Sequence, residues 1–218
     1  MLGKYEKELH RAVAEFITYQ QEVYPNMSEE NDNGEWVFGD EFNDMRNAFL
    51  AVVENVSYGQ ATDVVIDDLL YAIARDNECC ELVSETLNHP EWFAVLCQHS
   101  LQTDYTNAKW QFAEYLHEYR GNSKIGNLIF RFLETRDEYT ERMALRSLSE
   151  MYPEKVEQYA FEFWNRQKYD ADEYQKIMVL YVLDKVKSPL LEHFLDEADA
   201  TDYVYLKQWS KDIRDKNF

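Results

Sequence analysis

The chain has 218 residues, 42 of them acidic and 22 basic, which gives a formal net charge of −20 and a pI near 4.6. Such a surplus repels phosphate backbones and anionic bilayers, so neither nucleic acid nor a membrane surface is expected as a partner. Hydrophobic residues at 45% and aromatics at 15% set the chain apart from disordered acidic tails and are enough for a sizeable core.

Only 6 glycines and 4 prolines occur. Phosphate-cradling loops, hairpin turns and dinucleotide folds all depend on glycine, so this scarcity predicts an all-α chain of helices joined by short turns. Cys79, Cys80 and Cys97 are an odd set without a C-x-x-C pair. They fit neither a disulfide framework nor a zinc site, and a reducing cytoplasm is expected. The opening Met-Leu-Gly-Lys-Tyr-Glu-Lys-Glu carries charge from residue 4 and lacks the apolar run of a signal peptide. No segment approaches the roughly 20 apolar residues of a membrane span.

In chain order, Tyr5, Leu9, Ala12, Val13, Phe16 and Ile17 fall on one stripe and predict a helix ending near Val23. Residues 24–40 are polar and acidic, and are expected to form one long loop. Helical spacing resumes at Phe42, Met45, Phe49, Val52 and Val53, breaks near Ser57–Gln60, and returns at Val65, Ile66, Leu69, Leu70 and Ile73. Cys79, Leu82, Val83, Thr86 and Leu87 form a further stripe, with one of the adjacent cysteines expected to face the core. Pro90 then opens a helix carrying Phe93, Leu96 and Cys97.

From residue 108 onward the segments resemble one another. Ala113, Leu116 and Tyr119 recur as Leu145, Leu148 and Met151, then as Leu180, Leu183 and Val186, at offsets of 32 and 35 residues. In the partner helix Ile125, Leu128, Ile129, Phe132 and Leu133 recur as Val156, Tyr159, Ala160, Phe163 and Trp164, then as Leu191, Phe194, Leu195 and Ala198, departing at Asp199. A helix pair cannot cover its own apolar face and stacks on its neighbour, which is how such periods arise. Met143-Ala-Leu-Arg-Ser-Leu148, followed by a turn and Pro153, resembles the first helix and turn of a HEAT repeat. The expectation is one all-helical domain over residues 1–218, with irregular helices in 1–60 and HEAT-like pairs in 61–218. Tyr203, Leu206, Trp209 and Ile213 would form the inward stripe of a terminal helix whose outer face is charged.

Reactive motifs are scarce. His117-Glu118 begins like H-E-x-x-H, but the second histidine is missing. His10, His89, His99, His117 and His193 are scattered. Glu192 with Asp196, and Asp63 with Asp67, are carboxylate pairs of a spacing that 42 acids produce by chance. Glu78 and Glu81 flank the paired cysteines and would raise a thiol pKa, the wrong direction for a nucleophile. No G-x-S-x-G elbow or P-loop can be written. No catalytic residue, metal, cofactor or small-molecule substrate is therefore expected, and the chain is read as a non-enzyme.

The second helices of such pairs usually line the binding surface. Their outward positions read Lys124, Asn127, Arg131 and Glu134, then Lys155, Gln158, Glu162 and Asn165, then His193 and Glu197. Most of the acidic surplus lies elsewhere, in Glu29, Glu30, Asp32, Glu35, Asp40, Glu41 and Asp44, and near the end in Asp196, Glu197, Asp199 and Asp202. Charge, size, repeats and the lack of catalytic motifs together resemble the immunity proteins of bacterial toxin systems, including contact-dependent growth inhibition. That resemblance implies a basic protein partner, a cognate toxin nuclease domain (an RNase before a DNase), whose substrate surface is covered. The expected contacts are Glu29, Glu30, Asp32, Glu35, Trp36, Glu162, His193 and Glu197. A plain scaffold for another partner is the alternative. A HEAT-like DNA glycosylase using Trp110, Trp164 and Asp199 is disfavoured by the net charge.

Overall fold

The first helix, α1 (Lys4–Val23), begins where Glu6 reaches back to the chain before it: the backbone N–H of Gly3 donates to Glu6 Oε2 at 2.5 Å. Its stripe of Leu9, Ala12, Val13 and Phe16 is buried. The structure, a computed structural model, describes residues 2–25, 39–166 and 172–216, all-helical with turns and no strand among them. The long loop read from the sequence thus falls largely outside the described residues. The chain divides into two compact units, Met1–Phe112 and Ala113–Phe218.

In the first unit α1 packs on α2 (Asp40–Asn55) and α3 (Asp63–Arg75), followed by α4 (Glu81–Thr86) and α5 (Pro90–Ser100). Phe16 meets Phe42 and Tyr71 edge-on at 5.8 and 6.5 Å between ring centres. A buried ring of this kind contributes about 2 kcal/mol through apolar area alone. Most of α3 is buried round its circumference, from Val65 through Arg75, which makes it the central helix of the unit. Thr62 caps its start, and Pro90 opens α5 as the sequence leads one to expect. The adjacent cysteines depart from expectation: Cys79 is exposed, and Cys80 is half-buried with φ of +55°. Helix α4 begins only after them, so neither thiol sits on its buried stripe of Leu82, Val83 and Thr86. The unit boundary falls within α6 (Thr106–Tyr115).

In the second unit a 3-10 turn (Leu116–Tyr119) is followed by α7 (Ser123–Gly126) and α8 (Ile129–Phe132). Gly121, with φ of +90°, turns the chain between the 3-10 turn and α7. The sequence stripe from Ile125 to Leu133 predicts one helix, whereas the structure breaks it in two. The i→i−3 bonds Leu128 N–H to Ile125 C=O and Arg131 N–H to Leu128 C=O tighten the backbone there. Ile125, Ile129, Phe132 and Leu133 are buried nonetheless.

The remaining helices are α9 (Glu138–Met151), α10 (Val156–Asn165), α11 (Glu173–Lys185), α12 (Leu191–Asp199) and α13 (Val204–Lys216). Helix α11 packs on both α9 and α13; α10 lies against α9 and α11, and α12 against α11 and α13. Side-chain bonds join positions 31 to 35 residues apart. Ser188 Oγ donates to Glu157 at 2.7 Å, Lys185 Nζ to Glu150 at 2.6 Å, and Trp164 Nε1 to Glu197 at 2.5 Å. Glu173 accepts from the backbone N–H groups of Tyr205 and Leu206 at 2.7 and 3.0 Å, so the first residue of α11 caps the start of α13. A buried polar cluster fastens the middle of the unit. Glu141, fully buried, accepts from Arg136 N–H at 2.9 Å and Arg166 Nη2 at 2.8 Å, while Arg166 Nε donates to Gln175 at 3.1 Å.

Candidate functional site

The charge is unevenly divided. The first unit, Met1–Phe112, holds 21 acidic and 6 basic residues, a net −15, whereas Ala113–Phe218 holds 21 and 16, a net −5. In the first unit Arg11 pairs with Glu8 and Glu15 and Arg46 with Glu81, while His10 Nδ1 faces Asp68. Asp44, Glu54, Glu78, Glu91 and Asp104 are exposed and have no cationic partner among the described residues. Such carboxylates project an uncompensated negative field into solvent.

Two acids of this unit are instead internal. Asp68, on the buried face of α3, receives His10 Nδ1 at 2.9 Å; burial raises its pKa although the histidine opposes the shift. Asp76 is 2% exposed and accepts the backbone N–H of Leu82 at 2.7 Å, tying the start of α4 to the end of α3. Desolvation pushes its pKa up to about 6, against the pull of that hydrogen bond. The Cys79 thiol is pushed upward as well, by desolvation first and then by Asp76, Glu81 and Glu78, away from thiolate chemistry. Among the described residues no group of three or more His, Cys, Asp or Glu side chains is placed to hold a metal ion, and no helix is long and apolar enough to cross a membrane.

In the second unit the negative end is partly neutralised. Arg214 of α13 reaches Glu192, Asp196 at 2.7 Å and Asp199 at 3.4 Å, all on α12. The outward positions read from the sequence, Lys124, Asn127, Arg131 and Glu134, then Lys155, Gln158, Glu162 and Asn165, then His193 and Glu197, are all exposed. Of the expected contact residues, His193 and Glu197 are brought together at 3.1 Å on α12, and Glu162 lies on α10. Glu29, Glu30, Asp32, Glu35 and Trp36 lie outside the described residues. Trp164 is buried against Phe194, with ring centres 4.9 Å apart, and Trp110 is also buried, its indole donating to Asn107 at 3.2 Å.

Sequence reasoning missed a groove of about 550 Å³ across α9, α11 and α13. It is lined by Arg142 and Arg146 from α9, Tyr174, Ile177, Met178 and Tyr181 from α11, and Tyr205 and Trp209 from α13. Tyr174 and Tyr205 stack with ring centres 6.3 Å apart. The guanidinium of Arg142 lies over the rings of Tyr139 at 4.7 Å and Tyr174 at 5.4 Å. Trp209, expected on the inward stripe of α13, is 38% exposed, because Leu206, Ser210 and Ile213 take the buried positions. The signal was present in α11, whose apolar residues cover two faces rather than one. No protein-family model matches this chain, and no curated protein and no solved structure is found similar to it.

Proposed function

We propose that this protein is a non-catalytic binder of a basic protein, built on HEAT-like helix pairs. The observation that carries the reading is the net charge of −15 on the first unit, with exposed carboxylates that no cation among the described residues answers. A partner whose own working surface is positive gains most from such a field, which steers encounter over long range and disfavours partners of like charge. A nuclease domain is such a partner, since it must attract phosphate, and clustered carboxylates would stand in for the phosphates of its substrate. On this reading the protein is an immunity protein that protects its producer by covering a toxin nuclease's substrate surface. Glu29, Glu30, Asp32 and Glu35 belong to the same charge surplus and are part of the proposed contact.

The repeat reading is supported by the succession α9, α11, α13, with α10 and α12 set alongside, and by side-chain bonds at the period of the sequence repeat. The test is protection. Co-expression with a basic toxin domain encoded beside it should restore growth. A variant with Asp44, Glu54, Glu91 and Asp104 changed to Lys should associate at least about tenfold more slowly. Full protection and an unchanged association rate in that variant would refute the assignment.

A further inference from the structure

The groove on α9, α11 and α13 is opposite in character to the acidic first unit. No carboxylate is among its eight lining residues, although acids outnumber bases nearly two to one in the chain. Two arginines one helical turn apart stand along its α9 side, and the rest of the lining is aromatic, isoleucine or methionine. Tyrosine, tryptophan and arginine are the residues that dominate binding energy at protein interfaces, and methionine adapts to varied apolar shapes. Tyr174 is 46% exposed and Tyr205 60%, so large rings stand in solvent where a folded chain ordinarily covers them.

Arg142 is committed internally. Its Nε and Nη2 face Glu138 at 3.1 and 3.3 Å, and its plane is held by Tyr139 and Tyr174. Arg146 is less committed. Its side chain is 44% exposed, Nη1 donates to Glu114 at 2.7 Å, and among the described residues Nη2 and Nε have no hydrogen-bond acceptor. A half-exposed guanidinium with donors to spare, beside stacked tyrosines, matches a carboxylate flanked by apolar side chains.

We infer that this groove is a docking site for a peptide segment of a second protein partner, one presenting an Asp or Glu next to Leu, Phe or Trp anchors. A volume of about 550 Å³ accepts two or three such side chains. The arginines select against a basic segment, and the net charge of −20 opposes docking of a second copy of the chain. This site is independent of the basic partner proposed for the first unit, and either can fail without the other.

The experiment is panning of a random peptide display library on the intact protein, followed by fluorescence anisotropy of the leading peptide. Enriched sequences should carry Asp or Glu within a helical turn of Leu, Phe or Trp. Affinity should fall at least about tenfold for Arg146→Gln, for the pair Tyr205→Ala with Trp209→Ala, and for the peptide with its acid changed to Lys. Glu154→Gln, exposed and outside the lining, should leave it unchanged. No enrichment, enrichment of basic peptides, or equal affinity for the groove variants would overturn the proposal.

Discussion

Trp164 of α10 and Glu197 of α12 are joined by a hydrogen bond from the indole Nε1 to Oε2 at 2.5 Å, and His193 Nε2 stands 3.1 Å from the other carboxylate oxygen. Glu197 therefore serves the fold as well as the surface. Glu197→Ala leaves the N–H of a tryptophan that is 4% exposed without its acceptor, and should cost about 1–3 kcal/mol in urea unfolding. Glu197→Gln keeps an acceptor and should cost less than about 1 kcal/mol. A purely surface residue would leave both variants within about 0.5 kcal/mol of wild type.

Asp76 gives the pH dependence its sign. Its carboxyl is raised from 3.8 to about 6, so the folded state holds the proton more tightly than the unfolded chain. The contribution to stability is full below pH 4 and is lost as pH rises through 6. Asp76→Asn retains an oxygen for the Leu82 N–H and cannot ionise. The variant should gain about 2–3 kcal/mol on wild type at neutral pH and converge with it near pH 4, as read by unfolding at both values. A difference independent of pH would contradict the shift.

The Glu141–Arg166 pair should show strong non-additivity. Arg166→Ala leaves a fully buried carboxylate uncompensated and is expected to cost about 3–5 kcal/mol. Adding Glu141→Met should recover a large part of that loss, although Arg136 N–H then loses its acceptor. A double-mutant cycle in chemical denaturation measures this coupling.

Lys187, which follows α11, has φ of +55°, a conformation that costs a side-chain-bearing residue about 1 kcal/mol, and the N–H of Ser188 closes on Leu183 C=O at 2.9 Å. Lys187→Gly should raise stability by about 0.5–1 kcal/mol, despite losing an exposed ion pair with Asp184. Lys187→Val should lower it, and a thermal melt of the two variants separates the cases.

The helices were legible wherever one stripe carries the apolar residues. Leu9, Val13 and Phe16 in α1, or Leu145 and Leu148 in α9, have a single buried face, and spacing alone finds it. Outward positions of the second helices, from Lys124 to Glu197, followed by subtraction. The groove did not follow, because Tyr174, Ile177, Met178 and Tyr181 sit opposite Val179, Leu180, Val182 and Leu183, and periodicity cannot separate a second apolar face from a fully buried helix. Nor does spacing reveal that Arg214 gathers three acids of α12, since that depends on how α13 packs. The splitting of α7 from α8 is set by local i→i−3 bonds that the stripe does not encode.

The most direct test is the association rate of the intact protein with a basic nuclease domain of a cognate toxin, followed by stopped-flow fluorescence from low to high salt. Electrostatic capture by the acidic first unit predicts a rate that falls by roughly ten- to a thousandfold as salt screens the field. A rate indifferent to salt, or failure of the two proteins to associate at low salt, would contradict it.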